Sequence, residues 1–253
     1  MATKQRVDKL LSERGIAPSR ERARALILAG RVFSGERRVE KAGEQLPENA
    51  PLEVRGTDLK YVSRGGLKLE GALDAFPIKV SGATVADFGA STGGFTDCVL
   101  QRGAEKVYAI DVGYGQLAMK LRNDPRVVVM ERTNARHLRE DDLEEKVDLI
   151  VIDASFIGLE KLLPAARALL RPAGDCVALV KPQFEVGRSN VGKGGVVRDP
   201  EVRARAIVDV RTAAEKLGFE VLGETDAPIK GPKGNHEALL WLRAPDEHET
   251  TSP

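Results

Sequence analysis

The chain has 253 residues, of which 42% are hydrophobic and 30% are charged, and its formal net charge is +1. This length suffices for one substantial domain and a small one, and no run approaches the roughly 18 apolar residues that a membrane-spanning helix needs. The opening MATKQRVDKLL has no apolar stretch typical of a signal peptide, so the sequence predicts a cytoplasmic protein. Cys98 and Cys176 lie far apart in apolar contexts, which argues against a disulfide framework or a metal site and predicts buried, reduced thiols.

Positive charge is concentrated at the start of the chain. Residues 1–43 contain eleven Lys and Arg against five Asp and Glu, which leaves the remainder with a net charge of −5. Two short amphipathic patterns here predict helices, the first ended by Gly15 and the second capped by Ser19 and ended by Gly30. The strand-like pieces that follow, up to Val54, predict compact hairpins. They are broken at residues 34–35, 42–43 and 47–48.

Basic residues are spread over this segment as on a surface that follows a phosphate backbone. A solvated charged surface fits the composition equally well, because charge patterning alone is a weak signal. The stretches RVDKLL and SRERARALILAGRV resemble the S4-like RNA-binding domain, a small α+β module first seen in a ribosomal small-subunit protein, and this resemblance favours RNA. The candidate RNA-binding residues are Arg6, Lys9, Arg20, Arg22, Arg24, Arg31 and Arg64.

From Thr84 onward, seven apolar runs are mostly separated by helical stretches. Continuous apolar runs indicate strands covered on both faces, and the intervening helices indicate parallel connections, so we predict an open α/β sheet. No helical pattern separates the last two runs, FEVLG and EALLWLR, which predicts a hairpin. The polar, glycine-containing stretch RGTDLKYVSRGG contains a predicted linker. The predicted organisation is a domain at 1–58, a linker at 59–65, a domain at 66–245 and a disordered tail at 246–253.

The stretch ADFGASTGGFTDCVLQRGAEKVYAIDVG predicts a ligand with a ribose. In open α/β sheets, glycines after the first strand let a ligand approach the backbone, and an acid after the next strand, here Asp111, binds ribose hydroxyls. Ser91 stands where the G-x-G-x-x-G dinucleotide fingerprint has its second glycine. Asp87 would repel a pyrophosphate but suits a cationic cofactor. We therefore predict S-adenosylmethionine, with a dinucleotide and a purely structural turn as alternatives.

A second glycine-rich stretch, GRSNVGKG, matches a phosphate-binding loop as far as its lysine. The next residue, Gly194, replaces the Ser or Thr that would bind magnesium. Pro200 begins a new helix with Asp199 as its N-cap, so the stretch cannot continue as the required helix. The sequence excludes a nucleotide triphosphatase and predicts a loop at the mouth of the site.

Four ionisable residues, Lys68, Asp153, Lys181 and Glu237, are predicted to lie at the cofactor edge of the sheet. For each alone, a structural salt bridge is the simpler interpretation. The chain from Tyr61 to Arg243 resembles the TlyA family of ribosomal RNA methyltransferases, which is related to FtsJ-like ribose methyltransferases and is also described as haemolysins. The shared stretches include YVSRGGLKL, DFGASTGGFTD, DVGYGQLAMKLRNDPRV, VKPQFEVGR and GNHEALLWLR.

The resemblance implies a Rossmann-like, seven-stranded class I methyltransferase sheet. It implies 2′-O-methylation of cytidine in 23S or 16S ribosomal RNA, or in both, from S-adenosylmethionine. Lys181 is the candidate base that takes the hydroxyl proton. Lysine is a base only when neutral; a neighbouring cation favours that form and the two carboxylates oppose it, so the sequence leaves the roles within the tetrad open. The candidate cofactor-binding residues are Asp87, Gly89, Ala90, Ser91, Gly93, Gly94, Phe95, Asp111, Val112, Asn134, Ala135 and Asp153.

Some side chains have two interpretations. Asn134 either lies against the adenine or forms the turn before a predicted helix from Ala135 to Glu144. For Phe95 and Phe156, packing inside the fold is favoured over lining the pocket. The expected partners are ribosomal subunits, with no membrane and no metal, and a monomer is favoured. The alternatives are a non-catalytic assembly factor, a pseudouridylating enzyme and a membrane-active haemolysin; the last has no support in the sequence.

Overall fold

A computed structural model describes residues 3–55, 60–187, 190–231 and 233–246. The chain divides into two compact units, Met1–Asp58 and Leu59–Pro253. No helix in these described ranges is long and apolar enough to cross a membrane.

The first unit packs two helices and two small antiparallel sheets around its own apolar core. Ser19 caps the second helix by accepting a hydrogen bond from the Arg22 backbone N–H at 3.1 Å, which confirms the predicted N-cap. A turn after Ser34 joins two paired strands, where the sequence predicted a break. The elements are β1 (Lys4–Arg6), α1 (Val7–Glu13), α2 (Arg20–Leu28), β2 (Val32–Ser34), β3 (Arg37–Arg38), β4 (Gln45–Pro47) and β5 (Leu52–Val54).

The second unit is built on a seven-stranded sheet, as predicted. Its strand order is β11-β12-β10-β9-β6-β7-β8; β12 is antiparallel to both neighbours and the other pairs are parallel. The predicted hairpin of the last two strands is confirmed. The strands are β6 (Thr84–Phe88), β7 (Lys106–Asp111), β8 (Val127–Glu131), β9 (Val147–Ile152), β10 (Leu170–Val180), β11 (Glu220–Asp226) and β12 (Ala238–Arg243). The α-helices are α3 (Gly65–Ala75), α4 (Gly94–Gln101), α5 (Met119–Arg122), α6 (Leu163–Leu169), α7 (Pro182–Glu185) and α8 (Pro200–Lys216).

Helices cover the sheet on both faces and create two apolar clusters. Every residue of β6 is buried, as expected for a strand covered on both sides. Cys98 and Cys176 are buried and free, which confirms the prediction of reduced thiols. Asp199 caps α8 by accepting from the Glu201 backbone N–H at 2.8 Å, and Pro200 is the first helical residue.

Two stretches differ from their sequence pattern. The predicted helix from Ala135 to Glu144 is wrong: two 3₁₀ turns, Ala135–His137 and Glu140–Asp142, stand there. The Asp142 carboxylate accepts from the Arg139 backbone N–H at 2.8 Å and starts a new turn, which ends any continuous helix. Residues 60–65, within the suggested linker, pack into the second unit, where Tyr61 is 2% exposed. The suggested tail is described only at residue 246.

Candidate functional site

The glycine-rich bend connects β6 to α4 at the carboxyl edge of the sheet. Gly89 has φ +89°, and a Cβ there would lie 2.9 Å from the carbonyl oxygen of Asp153. Gly93 has φ +98°, and a Cβ there would overlap the Leu121 side chain. Both positions therefore require glycine, because an L side chain would be strained and would clash. The bend brings its backbone close to the end of β9.

Asp111 ends β7 and is fixed to this bend. Its Oδ2 accepts from the Ser91 backbone N–H at 2.8 Å, and its Oδ1 accepts from the Gly113 N–H at 2.7 Å. Each carboxylate oxygen has two lone pairs, so both can accept a further hydrogen bond. Asp111 lines a cavity of about 440 Å³ together with Val112, Asn134 and Ala135. The arrangement suits a ribose held next to a flat ring.

Asn134 forms the predicted turn, and its contact with an adenine stays a prediction. Its side-chain oxygen accepts from the Arg136 backbone N–H at 3.1 Å, and the residue caps the 3₁₀ turn. The same residue also lines the cavity that contains Asp111.

Asp87 lies in β6, just before the bend. It lines neither the cavity that contains Asp111 nor the larger cavity described in the next paragraph. Its side chain is fully buried, and Oδ2 accepts from the Thr96 N–H at 2.9 Å and the Thr96 hydroxyl at 2.6 Å. Burial raises the pKa of Asp87 to about 7, with a further contribution from the negative charge of Asp153. Oδ1 has no hydrogen-bond partner among the described residues. A cationic cofactor nearby would stabilise this carboxylate in its ionised form.

The second cavity, of about 560 Å³, contains all four members of the predicted tetrad. They form two ion pairs: Lys68 Nζ lies 2.5 Å from Glu237 Oε2, and Lys181 Nζ lies 2.6 Å from Asp153 Oδ1. Three of the side chains are nearly inaccessible, with 8% exposure for each lysine and 1% for Glu237, whereas Asp153 is 23% exposed. One buried and one partly buried cation–carboxylate pair therefore line one chamber.

Sheet topology explains why these residues meet. Asp153 directly follows β9, and Lys181 directly follows β10, its parallel neighbour. Glu237 precedes β12, which runs antiparallel to β10 with Ala238 opposite Val180, so the start of β12 lies at the same edge. Lys68 comes from the first turns of α3. The other predicted residues in the wall of this cavity are Gly89, Ala90, Ser91, Gly94, Phe95 and Arg64.

The structure also shows residues that the sequence pattern did not indicate. Ser155 accepts a hydrogen bond from Lys181 Nζ at 3.0 Å. Asn235 is buried; it accepts from the Val197 N–H and donates to the Gly195 carbonyl, both at 2.9 Å, and so fixes the predicted glycine-rich loop beside the cavity. Positions 188 and 189 of that loop lie outside the described residues. The sequence signal that could have indicated Ser155 and Asn235 is that each lies two residues from a predicted tetrad member, Asp153 or Glu237.

Phe156 stands at the cavity mouth. Its exposed fraction is 90%, so the expectation that it packs inside the fold is wrong. Its backbone has φ +67°, which is rare for an aromatic residue, and its ring centroid lies 5.2 Å from that of Phe184. Phe95, by contrast, is 2% exposed and contributes both to the core and to the cavity wall. A turn that holds an aromatic ring out into solvent at a conformational cost is typical of a functional site.

The predicted RNA-binding residues of the first unit are not equivalent. Arg6, Arg20 and Arg24 converge on one carboxylate, that of Asp8. The other three make contacts of other kinds. Lys9 pairs with Glu13 at 3.4 Å, and the Arg31 side chain donates to the Arg55 carbonyl at 3.1 Å. The Arg22 backbone N–H donates to the Ser19 hydroxyl at the start of α2. Within the described residues, no group of three or more His, Cys, Asp or Glu is placed to hold a metal ion.

Comparison with known proteins matches residues 61–244 to the FtsJ-like methyltransferase family. The chain belongs to this family. An S4 domain matches residues 5–51, within the first unit of this FtsJ-like methyltransferase. The two family matches confirm the predicted fold and the predicted resemblance.

Relatives of this FtsJ-like methyltransferase extend over nearly its whole length. It is 51% identical to the 16S/23S rRNA (cytidine-2′-O)-methyltransferase TlyA of Mycobacterium tuberculosis, over 96% of this chain and 91% of the relative. It is 42% identical to Hemolysin A of Brachyspira hyodysenteriae, over 92% of this chain and 98% of the relative. A solved structure named "Putative hemolysin from Streptococcus thermophilus" is 43% identical and has a TM-score of 0.75. The match covers 100% of this chain and 94% of that structure's chain.

Proposed function

We propose that this protein transfers a methyl group from S-adenosylmethionine to the 2′-hydroxyl of a cytidine in ribosomal RNA. The observation that carries the proposal is a set of two ion pairs, Lys68 with Glu237 and Lys181 with Asp153, in a cavity that borders the glycine bend. The curated TlyA relative, by its name, modifies cytidine 2′-oxygens of 16S and 23S rRNA.

The residues of the bend fit the proposed cofactor. Asp111 would hold the ribose hydroxyls, Asn134 and Ala135 would border the adenine, and Gly89 leaves space for the ligand against the backbone. Asp87 would balance the positive charge of the amino-acid end. When bound, S-adenosylmethionine supplies an electrophilic methyl group on its sulfonium.

Lys181 is the proposed general base, and it takes up the hydroxyl proton in its neutral amine form. A ribose hydroxyl is a poor nucleophile near neutral pH, so its proton must be removed as the oxygen attacks the methyl carbon. Asp153 and Ser155 hold the Lys181 amine in place, because its nitrogen lies 2.6 Å from the carboxylate and 3.0 Å from the hydroxyl. Lys68, oriented by Glu237, would stabilise the negative charge that develops on the oxygen.

RNA binding is divided between the two units. The S4 domain would supply salt-sensitive affinity for the phosphate backbone through its arginines. The target nucleotide must leave its stack to enter the cavity, as enzymes that act within folded RNA require. Arg64, in the cavity wall, and Phe156, at its mouth, are placed to meet that nucleotide.

The deciding experiment is transfer of radiolabelled methyl from S-adenosylmethionine to separated, unmethylated small and large ribosomal subunits, followed by nucleoside analysis. We expect label in 2′-O-methylcytidine with the wild-type protein and much slower labelling with Lys181→Ala, and the labelled subunit identifies the target. Absence of label on both subunits and on free rRNA, despite measurable binding of cofactor and RNA, would favour a non-catalytic assembly factor instead.

A further inference from the structure

One carboxylate in the first unit is shared by three arginines. The Asp8 side chain is fully buried. Arg6 donates to it from Nε and from a terminal nitrogen, both at 3.0 Å. Arg24 donates from Nε at 3.0 Å and Arg20 from a terminal nitrogen at 3.2 Å, both to Oδ2. A single side chain of α1 thus sets the direction of three guanidinium groups, one at the end of β1 and two on α2.

The arginines themselves remain open to solvent. Their side chains are 43%, 49% and 53% exposed for Arg6, Arg20 and Arg24, although the carboxylate beneath them is inaccessible. The pKa of Asp8 is held well below its usual range, chiefly by the hydrogen bonds from Arg6, so Asp8 is ionised. One negative charge under three positive charges leaves an excess of two.

Backbone contacts also fix the segment that carries Asp8. The Asp8 backbone N–H donates to the Ala42 carbonyl at 3.2 Å, and the Val7 N–H donates to the Glu44 carbonyl at 2.9 Å. A Cβ at Gly43 would lie 3.1 Å from a terminal nitrogen of Arg6, so this guanidinium packs directly on the chain there. The start of α1 and the loop at 42–44 therefore hold the carboxylate and the first arginine in one position.

We propose that Asp8 is a positioning residue that presents Arg6, Arg20 and Arg24 as a preformed site for RNA backbone phosphates. The inference rests on the proposed function, in which the S4 domain binds ribosomal RNA. Guanidinium groups suit phosphate because their planar set of donors can bind two oxygens at once. An arginine whose direction is already set loses less conformational entropy on binding than a free one.

When the Asp8 charge is removed, the inference and a model based on net charge alone predict opposite changes in RNA affinity. Removal of a negative charge from a basic surface should strengthen its attraction for RNA if only net charge matters. If Asp8 instead orders the three arginines, its removal should weaken RNA binding even though the protein becomes more positive. The two explanations are therefore separated by the direction of the change alone.

The experiment uses the full chain with Asp8→Asn, which keeps the shape of the side chain. The matched control is Glu13→Gln on the same helix, which removes the same charge from a side chain that is 51% exposed and pairs with Lys9 at 3.4 Å. Affinity for a fluorescently labelled RNA hairpin of mixed sequence is measured by anisotropy over a series of salt concentrations. S-adenosylmethionine binding and thermal unfolding are measured on the same samples.

We expect Asp8→Asn to weaken RNA binding by about fivefold and to reduce the slope of log affinity against log salt by about one. Glu13→Gln should leave affinity unchanged or slightly higher, and cofactor binding should stay the same in both variants. Wild-type or higher affinity of a folded Asp8→Asn protein would overturn the inference.

A second variant keeps the test decisive if Asp8→Asn does not fold. Arg24→Lys preserves charge but cannot reproduce the directed Nε contact. Weaker binding by Arg24→Lys supports the inference, and unchanged binding overturns it. Arg20→Gln separates this inference from the proposed function: if it leaves RNA binding intact, the S4 domain does not bind RNA through this surface, and the proposed role of that domain fails first.

Discussion

Lys181 and Asp153 form an ion pair across two neighbouring parallel strands, with 2.6 Å between Nζ and Oδ1. Lys181 also reaches the Asp153 carbonyl oxygen at 3.2 Å and the Ser155 hydroxyl at 3.0 Å. Three acceptors on one short turn fix the direction of the amine. The residues that follow β9 therefore determine where the Lys181 amine lies in the cavity.

Replacement of Lys181 by Ala should lower kcat for methyl transfer by about 10²- to 10⁴-fold, which is the usual contribution of a general base. The KM for RNA and the Kd for S-adenosylmethionine should stay near wild type, because the amine acts on the hydroxyl proton. Lys161→Ala, at an exposed lysine, is the control. Wild-type turnover by folded Lys181→Ala and Lys181→Arg proteins would refute the base assignment.

Loss of one partner of the other pair should affect stability as well as activity. Glu237→Ala leaves the buried Lys68 ammonium without its partner and should lower the free energy of unfolding by about 3 kcal/mol. Addition of Lys68→Met to Glu237→Ala should recover most of that loss but no activity. Urea denaturation measures both changes.

Glu144→Ala is the control for this pair, because Glu144 is 78% exposed where it pairs with Lys106, and its loss should cost less than about 1 kcal/mol. Equal losses in the buried and exposed variants would contradict the prediction.

Gly82 and Gly89 both have a positive φ, so Ala substitutions at the two positions separate the cost of backbone strain from the cost of a steric clash. Gly82 has φ +75° with nothing within 4 Å of an added Cβ, whereas at Gly89 the added atom would meet the Asp153 carbonyl oxygen at 2.9 Å. Gly82→Ala should cost about 1 kcal/mol of unfolding free energy and leave cofactor binding intact. Gly89→Ala should cost more and abolish S-adenosylmethionine binding in calorimetry. Cofactor affinity that survives in Gly89→Ala would exclude the proposed place of the ligand.

The buried Asp87 carboxyl should make stability depend on pH. Burial raises its pKa to about 7, whereas the unfolded chain titrates near 4. The folded protein therefore holds a proton that the unfolded chain has released between these values, and stability declines as pH rises from about 4 to about 7. Asp87→Asn should flatten this decline, by at most about 1.4 kcal/mol for each pH unit. Denaturant unfolding from pH 5 to pH 8 tests it; parallel curves would show that another group is responsible.

Phe156 should show opposite effects on folding and on function. Phe156→Gly relieves the positive φ and removes a ring that is 90% exposed, so the free energy of unfolding should rise or stay unchanged. The KM for ribosomal RNA should rise, because the ring at the mouth can stack on a base. Phe156→Leu is the control, because it keeps most of the apolar volume and loses the aromatic face.

The regular parts of the structure follow from local sequence signals. Continuous apolar runs identified the strands, and Ser19 and Asp199 identified helix starts, because caps and periodicity depend on neighbouring residues only. The 3₁₀ turns after Asn134 were missed, because a side-chain contact within the acidic stretch outweighed helix propensity. Phe156 was misplaced for a related reason: an apolar residue is expected inside, and only the fold shows that its turn faces outward.

The candidate site was partly predictable for another reason. Parallel topology brings the residues after β9 and β10 together, so Asp153 and Lys181 could be paired from the strand pattern. The partners Ser155 and Asn235, and the three arginines around Asp8, depend on side-chain directions between elements. No sequence spacing fixes those directions.

The ion pair between Lys68 and Glu237 joins residues that are 169 positions apart in the sequence. Glu237 stands just before the last strand, so the four-residue set is incomplete until that strand inserts between β10 and β11. During synthesis the bend and Lys68 leave the ribosome long before Glu237 does. The first unit and the bend can therefore be synthesised while the four-residue set still lacks Glu237. Assembly of this set depends on a segment that is synthesised well after the other three residues.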